Sequence, residues 1–145
     1  MPGRGLTAFY WLLVFIPLLV FTGCERRPDP SELKSSLGKV AEQYWTYRFI
    51  KGNFRSAYDL ELEEGRPPFK QYVDKVTPAG QIRYLNVKTK EVTIDQDKGV
   101  VLLTVEHEIP IPGVKVKKAK PLQGTIRDVW IYTSDGWRHK GKSKN

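Results

Sequence analysis

The sequence predicts an α+β fold in which N-terminal helices pack on a curved antiparallel sheet of about four strands. Apolar residues recur at three- and four-residue spacing between residues 31 and 76, which is the periodicity of amphipathic helices. Between residues 81 and 140 they alternate with polar residues, as in strands that have one covered face. Helices followed by an antiparallel meander form the α+β class. A signal helix is expected to precede this domain.

Three helices are expected in the first half of the domain. Ser31 can cap the first helix, and Gly52 ends it. Asn53 can cap a second helix, and Pro68 suits the first turn of a short third helix. The apolar positions of these helices are Leu33, Leu37, Val40, Ala41, Tyr44, Trp45, Phe54, Ala57, Tyr58, Leu62, Phe69, Tyr72, Val73 and Val76. An arginine, Arg48, stands at the end of the first stripe.

The second half of the domain is expected to form strands. Between residues 85 and 94 the apolar positions change from odd to even, which indicates a bulge, a bend or a turn. Residues 97–99 are expected to turn the chain into the next strand. One face of that strand carries Val101, Leu103, Val105, His107 and Ile109. Residues 125–133 and 137–140 predict a closing hairpin around a turn at residues 134–136.

The N-terminal segment has the pattern of an export signal. Arg4 follows the positive amino terminus, residues 6–21 are largely apolar, and small residues precede Cys24. The apolar run is short for a membrane span, and Pro17 would weaken an uncleaved helix. The expected organisation is a lipoprotein signal peptide at residues 1–23, a lipidated cysteine and tether at residues 24–30, and a single α+β domain at residues 31–145.

Thr22-Gly23-Cys24 resembles the lipobox of bacterial lipoproteins, although Phe21 stands where leucine is usual. The resemblance implies that Cys24 carries lipid, that the bilayer is a partner, and that the protein is exported and anchored in the cell envelope. Whether the protein is anchored in the inner or the outer membrane stays open. The alternative to lipidation is an uncleaved signal anchor. Because Cys24 is the only cysteine, no disulfide is expected within the mature domain.

The chain is basic, with a formal net charge of +8. A candidate membrane-facing patch comprises Lys115, Lys117, Lys118, Lys120, Arg138 and Lys140. Such charges can rest against anionic headgroups, and the alternative is a solvated surface that maintains solubility. Nucleic acid is not an expected partner, because the chain is predicted to be exported.

Neither a cofactor nor a metal site is expected from the sequence. The two histidines are far apart, the domain has no cysteine beyond Cys24, and neither a G-x-S-x-G motif nor a phosphate loop is present. His107 either lines a cavity beside Tyr44 or Tyr58 or is a hydrogen-bonded core residue. His139 lies in a basic tail and is expected to be solvated.

Asp128 is the carboxylate with the clearest functional potential. It shares a strand face with Ile126 and Trp130, so it can point into an apolar pocket, where a carboxylate can act as a general base. If the odd-numbered residues of this strand form the inward face, Asp128 instead lies in water or pairs with a lysine. Both faces are mixed in composition, and both interpretations stay open.

Two stretches carry a resemblance to a known superfamily. Residues 40–45 running into residues 51–60, and residues 128–138, are similar to the opening helices and the closing hairpin of small exported proteins of the nuclear-transport-factor/ketosteroid-isomerase superfamily. The resemblance covers about residues 31–140 and implies a cone-like fold around a cavity. The superfamily includes enzymes, ligand binders and interaction domains, and members often dimerise through the open sheet, so a homodimer is one expectation.

The expected function is that of a non-enzymatic, membrane-anchored envelope lipoprotein that binds a protein partner or a small apolar ligand. The candidate cavity or partner-surface residues are Phe54, Tyr58, His107, Asp128 and Trp130. One alternative is an isomerase- or dehydratase-type enzyme with Asp128 as general base. Another is an accessory subunit of a membrane complex. No complete catalytic set is recognised in the sequence.

Overall fold

The computed structural model describes residues 28–77, 82–110 and 120–141. Helices come first along the chain and strands follow, so the α+β class expected from the sequence is confirmed. The elements are α1 (Pro30–Trp45), a π-helical turn (Thr46–Ile50), α2 (Phe54–Tyr58), α3 (Phe69–Val76), β1 (Arg83–Asp95), β2 (Lys98–Glu108), β3 (Leu122–Thr133) and β4 (Gly136–Gly141). The expected signal helix, Cys24 and most of the tether lie outside the described residues.

The N-caps of the first two helices are each formed by a side-chain oxygen. Asp29, not Ser31, caps α1: its carboxylate accepts a hydrogen bond from the backbone N–H of Ser31 at 2.8 Å. The helix starts two residues earlier than a cap at Ser31 would give, because Pro30, which has no N–H to satisfy, suits the first helical position. Asn53 caps α2 as predicted, since its Oδ1 accepts from the backbone N–H of Ser56 at 3.2 Å.

The end of the first helix differs from the simple stop expected from the sequence. The chain widens into the π-helical turn before Gly52, which adopts a positive φ of 61°. Single π-helical turns at helix ends are frequent at functional sites. Arg48 lies in this turn. The sequence places Leu62 on the face of the second helix, but α2 ends at Tyr58 and Leu62 lies beyond it.

The four strands form one antiparallel sheet in the order β1-β2-β3-β4. The change of the apolar residues from odd to even positions, expected between residues 85 and 94, corresponds to two register shifts within a single long strand. They lie at Tyr84/Asn86 and at Thr89/Glu91. A further shift lies between Val129 and Trp130. Each bulge increases the local twist and bends the strand, which curves the sheet.

The β1–β2 turn is centred on Gln96 and Asp97, whereas the sequence predicts it at residues 97–99. Gln96 adopts a positive φ of 53°, a conformation that glycine would take more easily. Gly99 is instead needed in β2 for packing, because a Cβ there would overlap Cδ2 of Leu37. The glycine that suggested a turn is therefore a site of close approach between helix and sheet.

Helix α1 packs on one face of the sheet and completes the core. Alternation along β2 buries Val101, Leu103 and Val105, as the sequence predicts, but Ile109 lies beyond the strand and is 56% exposed. The buried cluster consists of Leu33, Leu37, Ala41, Tyr44, Trp45, Ala57, Tyr72, Val87, Val101, Leu103, Val105, Trp130 and Trp137.

Helix α1 is also joined to the sheet by hydrogen bonds at the bulge in β1. Oε1 of Glu42 accepts from the backbone N–H of Thr89 at 2.6 Å, and Oγ1 of Thr89 donates to the carbonyl of Gly38 at 3.0 Å. A bulge removes a backbone N–H from the regular ladder, and a partly buried N–H needs another acceptor. Glu42 supplies that acceptor and fixes the position of α1 along the strand.

The outer edge of β4 is covered by the short segment that follows α2. The backbone N–H of Leu62 donates to the carbonyl of His139 at 2.9 Å, and the N–H of His139 donates to the carbonyl of Leu60 at 2.8 Å. This is a parallel bridge between Glu61 and His139. The bridge places two ionisable side chains from distant parts of the chain next to each other.

Candidate functional site

A cleft of about 970 Å³ opens between the π-helical turn, the segment after α2, the end of α3 and the β3–β4 hairpin. Its size lies in the range of small-molecule sites. The apolar part of its wall is formed by Trp45, Phe49, Leu62, Pro67, Tyr72 and Val76. Glu61, Asp128 and His139 lie at its floor, so a buried group of charged side chains adjoins a partly apolar space.

The β3–β4 pairing positions two of these charged residues. His139 is the register partner of Trp130, and Asp128 precedes Trp130 by two residues, so all three share the covered face. Asp128 is completely buried and His139 is 5% exposed. Nε2 of His139 lies 3.4 Å from Oδ1 of Asp128. This contact is an ion pair rather than a hydrogen bond, because neither atom has a hydrogen-bond partner among the described residues.

Glu61 holds the other side of the imidazole ring. Its Oε2 lies 2.9 Å from Nδ1 of His139, and its Oε1 accepts a hydrogen bond from the hydroxyl of Tyr44. The ring of Tyr44 stacks on that of His139 with 4.2 Å between centroids. Both ring nitrogens of His139 thus face carboxylates, and its flat face is covered by an aromatic ring.

Trp45 and Arg48, one helical turn apart, complete the cluster. Nε1 of Trp45 donates to Oδ2 of Asp128. Nη1 of Arg48 donates to the hydroxyl of Tyr44 at 3.0 Å, and the guanidinium carbon lies 4.4 Å from the ring centre of Trp45. Stacking of a guanidinium on an indole is a favourable cation–π arrangement.

The electrostatics favour an ionised Glu61 and a protonated His139. Burial would raise the pKa of Glu61, but the hydrogen bond and charge of His139, the hydroxyl of Tyr44 and the charge of Arg48 outweigh it and hold the pKa below the usual 4.5. Burial would lower the pKa of His139, but the carboxylates of Asp128 and Glu61 raise it above the usual 6.5. The carboxylates at its ring nitrogens therefore stabilise the protonated form of His139 relative to that of an exposed histidine.

The two tyrosines of the cluster stay protonated. Burial raises the pKa of Tyr72 to about 12, and burial raises the pKa of Tyr44 further above its usual range. Their hydroxyl oxygens are 3.4 Å apart. Each hydroxyl therefore serves as a hydrogen-bond donor at neutral pH rather than as a base.

The candidate residues from the sequence fall in different places. Asp128 lies on the cleft floor, and Trp130 is fully buried against Tyr44 and His139. Phe54 and Tyr58 pack in the helical layer, where the hydroxyl of Tyr58 donates to the carbonyl of Pro67 at 2.9 Å.

His107 is half-buried on β2 beside Tyr84, with 6.0 Å between ring centroids. Its Nδ1 has no hydrogen-bond partner among the described residues. One expectation from the sequence put His107 beside Tyr44 or Tyr58, whereas the structure puts it beside Tyr84. The expectation that His139 is solvated is wrong, because His139 lies two residues after the buried Trp137 on β4 and shares its covered face. Alternation from Trp137 to His139 was the sequence signal for this position.

Three of the six residues of the predicted basic patch lie in the described part of the chain. Lys120 and Lys140 are exposed, and Nη2 of Arg138 lies 4.0 Å from Oδ2 of Asp135. Lys140 also borders the cleft. The other predicted members, Lys115, Lys117 and Lys118, lie outside the described residues.

The described residues contain neither a membrane-spanning helix nor a metal-binding cluster. None of the helices in residues 28–77 is long and apolar enough to cross a bilayer. Across the described ranges, no group of three or more His, Cys, Asp or Glu side chains has an arrangement that could hold a metal ion.

No protein-family model and no curated protein matches this chain. Several solved structures are similar to it. A provisionally assigned dehydratase of the NTF2-like family from Streptomyces avermitilis is 16% identical, with a TM-score of 0.49 over 77% of this chain and 93% of that one. An Ntf2-like protein involved in plasmid conjugation is 7% identical, with a TM-score of 0.46 over 78% of this chain and 51% of that one.

A third is a provisionally assigned Ca/calmodulin-dependent kinase II association domain from Exiguobacterium sibiricum. It is 16% identical, with a TM-score of 0.44 over 82% of this chain and 98% of that one. At these identities and TM-scores nothing about activity passes from those proteins to this chain. The function of the cleft therefore has to be inferred from its own side chains.

Proposed function

We propose that this protein is a non-enzymatic envelope lipoprotein whose domain binds a small, largely apolar molecule in the cleft between the π-helical turn and the β3–β4 hairpin. The observation that carries the proposal is the combination of an open cleft with a floor whose charges already face one another. An imidazolium with a carboxylate at each nitrogen has no free lone pair with which to accept a proton. The cluster therefore supports the wall of a binding site more readily than it supports general-base chemistry by His139.

Anchoring through Cys24 is the second part of the proposal, and the bilayer is the partner it implies. Helix α1 begins at Pro30, only a few residues after Cys24, so a lipidated Cys24 would hold the domain close to the membrane. Several acyl chains on one cysteine anchor stably without a membrane span. In the variant Cys24→Ser we expect a longer precursor that no longer incorporates labelled fatty acid, as the mature wild type does. Unchanged length and unchanged labelling would contradict lipidation at Cys24.

The ligand proposal is tested on the full chain, isolated from its native membrane in detergent. Native mass spectrometry should show a molecule bound in stoichiometric amount. Val76→Trp places an indole in the cleft wall and should remove the bound molecule. The matched control is Lys70→Trp, on the exposed side of the same helix α3, which should retain it. Loss of the bound mass from both variants, or from neither, would contradict binding in the cleft.

An enzyme of the isomerase or dehydratase type is the second candidate, and one contact favours it. Oδ1 of Asp128 and Nε2 of His139 face each other at 3.4 Å without a hydrogen bond, so a proton could pass between a substrate in the cleft and this pair. Asp128→Asn keeps an oxygen for Trp45 while removing the basic carboxylate. If the molecule recovered from the cleft is converted by the wild type and not by Asp128→Asn, the enzyme hypothesis is correct. A molecule that both proteins leave unchanged contradicts it.

A further inference from the structure

Arg48 is, among the described residues, the arginine whose guanidinium both borders the cleft and contacts the buried cluster. Its Nη1 donates to the hydroxyl of Tyr44 at 3.0 Å, and its plane lies over Trp45. Its Nε is buried and has no hydrogen-bond partner among the described residues. Nε itself is covered by protein atoms, whereas Nη2 is not among the buried atoms and has no hydrogen-bond partner in the described residues, so Nη2 is the edge of the guanidinium that a group in the cleft can reach.

No carboxylate of the described residues forms an ion pair with Arg48. Three other arginines each have one: Arg66 with Glu63 at 4.0 Å, Arg83 with Glu108 at 3.2 Å, and Arg138 with Asp135 at 4.0 Å. The nearby Glu61 uses its two oxygens on Tyr44 and His139. Arg48 therefore brings to the cleft a positive charge that no described carboxylate pairs with directly, although Glu61 lies close enough for this charge to lower its pKa.

The charges around the cleft favour an incoming anion at this position. Lys75 and Lys140 are exposed and border the cleft, and the only exposed carboxylate among its described lining residues is that of Glu64. The two acidic groups on the floor are shared with the imidazolium of His139. A guanidinium N–H forms a charge-assisted hydrogen bond with a carboxylate oxygen, which is stronger than a neutral hydrogen bond.

We infer that the cleft takes a small organic acid, with its carboxylate on Nη2 of Arg48 and its apolar body against Phe49, Val76 and Leu62. This inference rests on the proposed binding function and adds the chemical class of the ligand. The stacking of Arg48 on Trp45 holds the guanidinium plane in place before the ligand arrives, and a preorganised donor loses less entropy on binding.

The test uses the full chain in nanodiscs of zwitterionic lipid and a homologous series of phenylalkanoates, from phenylacetate upward, beside the corresponding neutral phenylalkanols. Isothermal titration calorimetry should show that the best acid binds at least about tenfold more tightly than its alcohol, as expected for a charge-assisted pair. Arg48→Gln should abolish this preference, and Arg48→Lys should retain part of it. The matched control Arg55→Gln removes a guanidinium that lies over Phe69, away from the cleft, and should change nothing.

A second measurement, on the wild-type protein, tests the inference even if Arg48→Gln fails to fold. In arginine-labelled wild-type protein, the Nε–H resonance that disappears in Arg48→Lys should shift on titration with the acid and stay in place with the alcohol. If acid and alcohol bind equally well, the carboxylate site is wrong while the cleft remains a binding site. If no member of either series binds, the inference and the proposed function are both contradicted. If the acid preference persists in Arg48→Gln, another cation receives the carboxylate and the inference is wrong.

Discussion

Glu61 and His139 are joined twice, although they lie 78 residues apart in the chain. Their backbones form a parallel bridge at the edge of β4, and Oε2 of Glu61 lies 2.9 Å from Nδ1 of His139. The bridge fixes the distance between the two Cα atoms, so the side-chain contact requires little additional ordering. This pair connects the segment after α2 to the sheet and forms one side of the cleft floor.

The pH dependence of stability should follow this pair. The raised pKa of His139 means that its contribution is fully present below pH 6.5 and is lost as the pH rises through the higher value in the folded state. The lowered pKa of Glu61 means that its contribution is present above pH 4.5 and is lost as the pH falls through the lower value in the folded state. The difference in free energy of unfolding between wild type and His139→Gln should therefore be largest between these two values.

Urea denaturation across this pH range measures that difference. His107→Gln is the matched control, because His107 contacts neither Glu61 nor Asp128 and its removal should leave the pH profile unchanged. A difference between wild type and His139→Gln that stays constant from acid to alkaline pH would contradict the assignment of charge to the pair.

The hydrogen bond from Trp45 to Asp128 should be worth more than an ordinary indole bond. Trp45→Phe removes the donor from a fully buried carboxylate oxygen, and leaving such an acceptor unpaired costs about 1–3 kcal/mol. Trp137→Phe makes the same change in volume, but its Nε1 donates only to Oγ of Ser36 at 3.2 Å. Thermal and urea unfolding should show a larger loss for Trp45→Phe. Equal losses would mean that the bond to Asp128 contributes nothing beyond packing.

Gly99 should tolerate no side chain, for reasons of space alone. A Cβ at this position would overlap Cδ2 of Leu37 and lie 3.1 Å from Cζ3 of Trp137, so Gly99→Ala should destabilise the fold by about 1–3 kcal/mol. Gly124→Ala is the control in β3, where the nearest side-chain atom, Cε1 of His107, is at 3.7 Å. We expect that control to be neutral or slightly stabilising. A Gly99→Ala protein as stable as the wild type would show that α1 can move away from β2.

The acceptor at the bulge in β1 gives a fourth prediction. Glu42→Ala leaves the backbone N–H of Thr89 without its partner and should cost about 1–3 kcal/mol. Glu42→Gln keeps an oxygen at the same position and should recover most of that loss. Urea denaturation distinguishes the two variants, and hydrogen exchange at the Thr89 amide should accelerate only in Glu42→Ala. Equal stability of both variants would contradict this role of Glu42.

Much of the local structure follows from residues that are close in the chain. The cap at Asn53, the stop at Gly52, the alternation along β2 and the closing turn before Gly136 are each set by neighbours a few positions away. The sequence misleads where two local signals compete. Pro30 moves the cap from Ser31 to Asp29, and Gly99, which resembles a turn residue, is kept small by a helix that passes over it.

The candidate site is only partly visible in the sequence. Alternation with Ile126 and Trp130 allows Asp128 to face an apolar pocket, and Asp128 does lie on the cleft floor. Nothing near Glu61 in the chain distinguishes it from other acidic residues, and Arg48 stands out only as the end of an apolar stripe. Their importance depends on contacts with β4 and with Tyr44.

The sequence by itself determined the order of helices and strands, several of their ends and the buried face of β2, because propensity, capping and side-chain alternation act over a few residues. Only the tertiary structure decided which charged side chains meet. The pairing of His139 with Trp130 and the parallel bridge at Glu61 place His139 between two carboxylates. The register of such long-range pairings is set by the packing of the whole core, for which a single stretch of sequence holds no local signal.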